Sequence, residues 1–325
     1  MTIRAGVAGL GRWGQTLVNS VQGKSDAITF VAGCTGRKDR ARDFCTEAGI
    51  DLRDGLDDLL ADDSIDAVVL ATPNLQHADQ ITAAAAAGKH VFVEKPFTMT
   101  KDSAEAAAQA CAEANVVCAL GHNRRFLPAM KYLRDVVNSG DIGTPLHVEA
   151  NISIPAGYRH GNEHWRANPE ECPAGGMTAL GVHMTDALIS FLGPVKEVTV
   201  TSERRVLDIP IDDVTFMTMR FESGMTGYMS TIFVTSPVWF IRVMGDKGWA
   251  NMRGYERVAV RKNVDDKETL TKFDKPDIER AELEAFAEAA SGGTAYPIPV
   301  SEAVHGTALV HAIFKSAENG GTVAV

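Results

Sequence analysis

The chain has 325 residues, 45% of them hydrophobic and 23% charged, with a formal net charge of −10. This is ordinary globular composition, long enough for two cores, and it lacks the clustered positive face that nucleic acid requires. The five cysteines are scattered without C-x-x-C spacing, which points to reduced thiols in a cytoplasmic setting, and no run of about 20 apolar residues offers a membrane span.

From Thr2 to about Leu120, short apolar runs alternate with alanine-rich helical patterns. IRAGVAG (3–9), ITFVAGC (28–34), DAVVLAT (66–72), HVFVEK (90–95) and VVCAL (116–120) predict strands. Each is nearly continuous in apolar character, as expected when both faces of a parallel sheet are covered. Between them 75–87, followed by Gly88, and 101–114 predict helices. Such βαβ repetition defines an α/β, doubly wound Rossmann domain, taken as residues 1–122.

After Gly121 the rhythm changes. A helix over 128–139 leads to a strand at 146–154, then to a loop at 155–174 rich in Pro, Gly, His and Trp. GGMTALGVHMTD (175–186) predicts a helix, and the alternating runs 196–204, 214–224, 225–233 and 238–246 predict strands joined by hairpin signals at ESG and GDKG. Helices at 277–290 and 301–317 close the chain. The expectation is a continuous α+β domain over 123–325 with a mostly antiparallel open sheet.

GVAGLGRWGQTLV carries Gly9-x-Gly11-x-x-Gly14 directly after the first strand and at the start of a helix, with Arg12 and Trp13 inside the loop. The first glycine permits a tight turn, the second lets backbone approach a pyrophosphate, and the third lets helix and strand pack closely. Dinucleotide binding follows. At the end of the second strand, Thr35, Gly36, Arg37 and Lys38 stand where an NAD site usually offers a carboxylate. A hydroxyl followed by two cations favours a 2′-phosphate, so NADP is preferred over NAD. The plainer alternative is that Arg37 and Lys38 only begin a solvated helix.

Lys95 ends a central strand at its carboxyl edge, where doubly wound folds bind ligands. It can donate to a substrate oxygen and stabilise developing alkoxide charge, and Pro96 restricts it to an extended backbone. With the glycine loop, Thr72-Pro73-Asn74-x-x-His77, Glu94-Lys95-Pro96 and the run around His183, the chain resembles the glucose-fructose oxidoreductase / inositol dehydrogenase (Gfo/Idh/MocA) family. The resemblance implies reversible hydride transfer between a nicotinamide and the hydroxyl-bearing carbon of a sugar, polyol or related alcohol. It also implies a cis Lys95-Pro96 bond, cofactor contacts from Thr72, Pro73, Asn74 and Glu94, and a homodimer or homotetramer formed through the C-terminal sheet. His77 takes a supporting cofactor-side role, its duller alternative being a ring packed at a helix start.

In the 155–174 loop, Tyr158, Arg159 and His164 are candidates to bond substrate hydroxyls, and Trp165 to form an apolar wall. His160, Glu163 and His164 have metal-like spacing, but glycines and a proline deny them a rigid frame and the chemistry needs no metal. Arg124 and Arg125 read either as contacts for an anionic substrate or as struts. The family usually carries D-x-x-x-H on the helix of the 175–186 run. Here the histidine is His183, but Ala179 stands four residues before it. Asp186, three residues on, is the candidate to orient it instead. Either His183 is the proton acceptor and works with Lys95, or Lys95 or Tyr158 moves the proton and His183 only binds. The alternatives to a sugar or polyol enzyme are dihydrodiol or other non-sugar carbonyl chemistry, and a non-catalytic dinucleotide- and sugar-sensing protein.

Overall fold

The computed structural model describes residues 2–325. The chain forms two compact units, one of residues up to 123 together with 277–304, the other of 124–276 with 305–325.

The first unit runs β1 (Ile3–Ala8), α1 (Arg12–Val21), β2 (Ile28–Cys34), α2 (Arg42–Ala48), β3 (Asp51–Arg53), α3 (Leu56–Leu60), β4 (Ala67–Leu70), α4 (His77–Ala86), β5 (His90–Glu94), α5 (Lys101–Glu113) and β6 (Cys118–Gly121). The strands pair in parallel in the order β3-β2-β1-β4-β5-β6, the doubly wound arrangement expected from the sequence. Its order reverses at β1, so the carboxyl ends of β1 and β4 flank the natural ligand crevice of such a sheet. β4, AVVL, is buried along its whole length, which is why it reads as a continuous apolar run.

The second unit contains α6 (Pro128–Asn138), β7 (Pro145–Ser153), a π turn over Met177–Gly181 and α7 (Val182–Leu192). There follow β8 (Val195–Glu203), β9 (Val214–Phe221), β10 (Thr226–Ile232), β11 (Val238–Gly245), β12 (Gly248–Arg253), β13 (Arg257–Lys262) and β14 (Thr269–Lys272). After α8 (Ile278–Ala290) and α9 (Val300–Asn319), β15 (Thr322–Ala324) completes a nine-stranded sheet in the order β14-β13-β12-β11-β7-β10-β9-β8-β15. Only β7 and β10 pair in parallel. Alternation is strict in β9, where Thr215, Met217, Met219 and Phe221 are buried and Phe216, Thr218 and Arg220 are exposed.

The chain leaves the first unit after Asn123, and residues 277–304 return to it. The reason is the apolar stripe of α8, in which Ile278, Leu283, Phe286 and Ala287 are buried. Phe286 meets Phe92 of β5 with ring centroids 5.7 Å apart, a tilted pair contributing about 0.5–1.5 kcal/mol beyond area burial. Around it, Arg280 Nε donates to the Ser20 carbonyl at 2.8 Å, Tyr296 OH to the Leu120 carbonyl at 3.0 Å, and Asn123 Nδ2 to Glu279 Oε1 at 2.9 Å.

Candidate active site

The glycine loop is shaped by close approach. Gly9 has φ +100°, and a Cβ there would lie 2.4 Å from the Ala71 carbonyl oxygen; one on Gly14 would lie 1.9 Å from the Gly9 oxygen. No atom stands within 4 Å of a Cβ on Gly11, the position where a pyrophosphate needs open space. Gly11 caps α1 without a side-chain hydrogen bond, and the first turn carries no acidic residue, so its N–H groups and dipole are left for an anion. Trp13 Nε1 is buried without a hydrogen-bond partner among the described residues. The residues present therefore fit a dinucleotide, whose pyrophosphate Gly9, Gly11, Arg12, Trp13 and Gly14 would surround. Arg12 is exposed.

At the end of β2, Arg37 is exposed and Lys38 forms an ion pair with Asp54, just past β3. Lys38 holds the Asp54 carboxyl below its ordinary range. The parallel pairing of β2 with β3 brings these two residues together across sixteen positions of sequence.

At the carboxyl edge of β4, Thr72 Oγ1 donates to Gln80 Oε1 at 2.5 Å, Pro73 is half-buried and Asn74 is buried. At that of β5, Glu94 is buried, Lys95 is half-buried, and the Lys95 N–H donates to Glu94 Oε2 at 3.3 Å. The Lys95-Pro96 peptide is cis. His77 lies 2.7 Å from the Pro96 carbonyl through Nδ1 and 3.1 Å from the Thr72 carbonyl through Nε2, and it is 0% exposed. A ring with no accessible surface is packed between the two connections, so any part it plays toward a cofactor is indirect. Burial pushes its pKa down, the nearby Lys95 charge pushes the same way, and the backbone carbonyls oppose.

In the second unit, the π turn over Met177–Gly181 delivers the chain into α7, where His183 is 7% exposed. Single π turns are frequent at functional sites. Asp186, three residues on, is held on both carboxylate oxygens by Arg125. Nη2 donates to Oδ1 at 2.6 Å and Nε to Oδ2 at 2.8 Å, with each side chain 7% exposed. Sequence reasoning left Arg125 as one of two undifferentiated arginines, since its partner lies 61 residues away. Arg124 lies on Tyr255, donating from Nε to its hydroxyl at 3.2 Å with its guanidinium carbon 5.6 Å from the ring centroid.

The 155–174 segment carries Tyr158, which is 62% exposed, and an exposed Arg159. Behind them the rings of His160 and His164 lie 4.4 Å apart, His160 meets the buried Phe233 at 5.9 Å, and His164 stacks on Trp165 at 6.0 Å. The Arg166 N–H donates to His164 Nδ1 at 3.1 Å. Arg166 also lies over the Trp165 ring at 4.1 Å, so a cation covers one face of the expected apolar wall. Among the described residues, no three His, Cys, Asp or Glu side chains gather as metal ligands, and no helix is long and apolar enough to cross a membrane.

A six-stranded parallel sheet with an open glycine loop at its switch point defines the dinucleotide-binding class, and the comparisons narrow it. The oxidoreductase family with an NAD-binding Rossmann fold matches residues 3–122, and the GFO/IDH/MocA C-terminal domain matches 130–251. D-xylose 1-dehydrogenase (NADP(+)) 2 of Haloferax volcanii is 30% identical over 328 residues, covering 98% of this chain and 97% of the relative. scyllo-Inositol 2-dehydrogenase (NAD(+)) of Bacillus subtilis is 37% identical over 150 residues, 45% of this chain and 43% of the relative. Levoglucosan dehydrogenase in complex with NADH and levoglucosan shares the fold with TM-score 0.89 at 19% identity, covering 100% of both chains. The chain belongs to the Gfo/Idh/MocA family of NAD(P)-dependent oxidoreductases.

Proposed function

We propose that the protein oxidises or reduces the hydroxyl-bearing carbon of a sugar or polyol, with NADP preferred over NAD. The observation that carries this reading is Lys95, half-buried at the carboxyl end of β5 in the sheet that also presents the open glycine loop. Full-length likeness to a xylose dehydrogenase that uses NADP(+) supports the substrate class. The exposed Arg37 supports the preference for a 2′-phosphate.

When bound, the dinucleotide supplies the hydride acceptor or donor. His183 takes the hydroxyl proton, its ring oriented by Asp186, which Arg125 fixes in turn. Lys95 donates to a substrate oxygen and stabilises its negative charge as the carbonyl forms or collapses. Glu94 orients the Lys95 backbone and bonds the nicotinamide ribose, beside contacts from Thr72, Pro73 and Asn74. Tyr158, Arg159, His164, Trp165 and Arg124 bind the substrate's remaining hydroxyls and ring face. The outer face of the nine-stranded sheet, with Phe216 45% exposed beside Tyr228, serves self-association into a homodimer or homotetramer in the cytoplasm.

The test is absorbance at 340 nm with NADP and with NAD across pentoses, hexoses, inositols and sugar acids. Turnover of at least one sugar or polyol, with a higher kcat/KM for NADP, is expected. Tight dinucleotide binding with no turnover on any of them would favour the sensor instead.

A further inference from the structure

His77 is a buried titratable group that the reaction does not use, and it joins two connections of the first unit. Its ring spans from the Thr72 carbonyl, after β4, to the Pro96 carbonyl, after β5. A neutral imidazole has one N–H for two carbonyl acceptors, and the shorter contact, 2.7 Å, is that of Nδ1 with Pro96. Pro96 directly follows Lys95, and proline already narrows the backbone of the residue before it. Upstream, the Lys95 N–H is tied to Glu94 Oε2. Lys95 is thus the one half-buried residue between a buried Glu94 and a buried Pro96, pinned on both sides.

We infer that His77 is a positioning residue for Lys95, its Nδ1–H holding the Pro96 carbonyl so that the lysine backbone has a single setting. The inference rests on the reading of Lys95 as the group that stabilises substrate oxygen. It separates the two nitrogens of the ring: the Nδ1 bond aims Lys95, whereas the Nε2 approach to Thr72 only adds packing. Asparagine places an amide N–H near the Nδ1 position and glutamine places one near Nε2, so the two variants discriminate between them.

The experiment measures kcat, KM and NADP dissociation constant for wild type, His77→Leu, His77→Asn, His77→Gln, Lys95→Ala and the double variant His77→Leu/Lys95→Ala. A second readout needs no turnover: the carbon-13 signal of reductively dimethylated Lys95, assigned by its loss in Lys95→Arg. His77→Leu is expected to lower kcat at least tenfold with KM and NADP affinity within threefold, and to broaden or split the Lys95 signal. His77→Asn restores most of kcat and a single Lys95 signal, and His77→Gln restores neither. In the Lys95→Ala background, His77→Leu lowers kcat by less than twofold. Equal losses from His77→Leu in both backgrounds, rescue by Gln rather than Asn, or an unchanged Lys95 signal in His77→Leu would overturn the inference alone. Wild-type kcat in Lys95→Ala would overturn the reading of Lys95 and this inference with it. Where His77→Leu does not fold, the contrast between Asn and Gln decides on kcat and the Lys95 signal.

Discussion

In the first unit, the candidate residues stand at strand ends and are held mainly by backbone. Gly9 N–H donates to the Cys34 carbonyl at 2.9 Å, His77 sits between two carbonyls, and Gly14 fits against Gly9 with no room for a side chain. In the second unit, side chains hold side chains: Arg125 grips Asp186, and a ladder of rings from Phe233 through His160 and His164 to Trp165 braces the loop that bears Tyr158. Backbone scaffolds tolerate most substitutions and keep their geometry, whereas a side-chain scaffold changes with each residue replaced. The first arrangement suits the step common to every nicotinamide reaction. The second suits the part that must differ from one substrate to another.

Four measurements press on that contrast. Lys95→Ala and His183→Ala should each lower kcat by about 10²–10⁴-fold, the range for general acid–base groups, with NADP affinity within threefold of wild type. If His183→Asn keeps near wild-type kcat while Lys95→Ala loses it, the proton acceptor is not His183. Next comes Arg125→Met, which strands the Asp186 carboxylate in a site only 7% exposed; it should cost about 3–5 kcal/mol in urea unfolding, with most of that recovered in Arg125→Met/Asp186→Leu. A loss under 1 kcal/mol would mean that side-chain pairing does not organise the second unit. Smaller again is Arg37→Ala. Losing charge-assisted bonds of about 1.5–3 kcal/mol should weaken NADP roughly tenfold or more in calorimetry and leave NAD unchanged.

The smallest effect concerns Cys34, buried where the glycine loop ties back to β2. Burial, helped by the Asp58 charge, pushes its thiol up to about 11. Only about a thousandth is thiolate at pH 8, since each pH unit is a tenfold change. Alkylation by iodoacetamide, followed by mass spectrometry of the Cys34 peptide, should be slow at pH 8 and still climb about tenfold per unit to pH 10. A rate that levels off near pH 9 would show an ordinary thiol.

Much of this was legible in the sequence. Strands buried on both faces are continuous apolar runs, so five of the six parallel strands, the glycine loop and the strand-end Lys95 stand out at once. β3 does not, because DLR is three residues long and two of them are charged. The edge strand β14 and its neighbour β13 carry lysines, arginines and threonines that resemble loop. Asp54 beside Lys38 and Arg125 beside Asp186 are contacts across sixteen and 61 residues, and no local pattern encodes them. The position of α8 was hidden for a related reason. Its stripe of Ile278, Leu283 and Phe286 announces that a face is buried and says nothing of what buries it.

That helix has a consequence for the order of synthesis. Residues 277–304 leave the ribosome after 124–276, yet they belong to the core begun by the first 123. The nucleotide-binding sheet therefore waits, with the Phe92 ring lacking its Phe286 partner, until the nine-stranded sheet has been made. At about 5–20 residues per second, the 153 intervening residues hold that surface open for roughly 8–30 seconds. A nascent chain of this design has a built-in interval in which a chaperone can engage it, and one truncated before residue 277 never closes that interval.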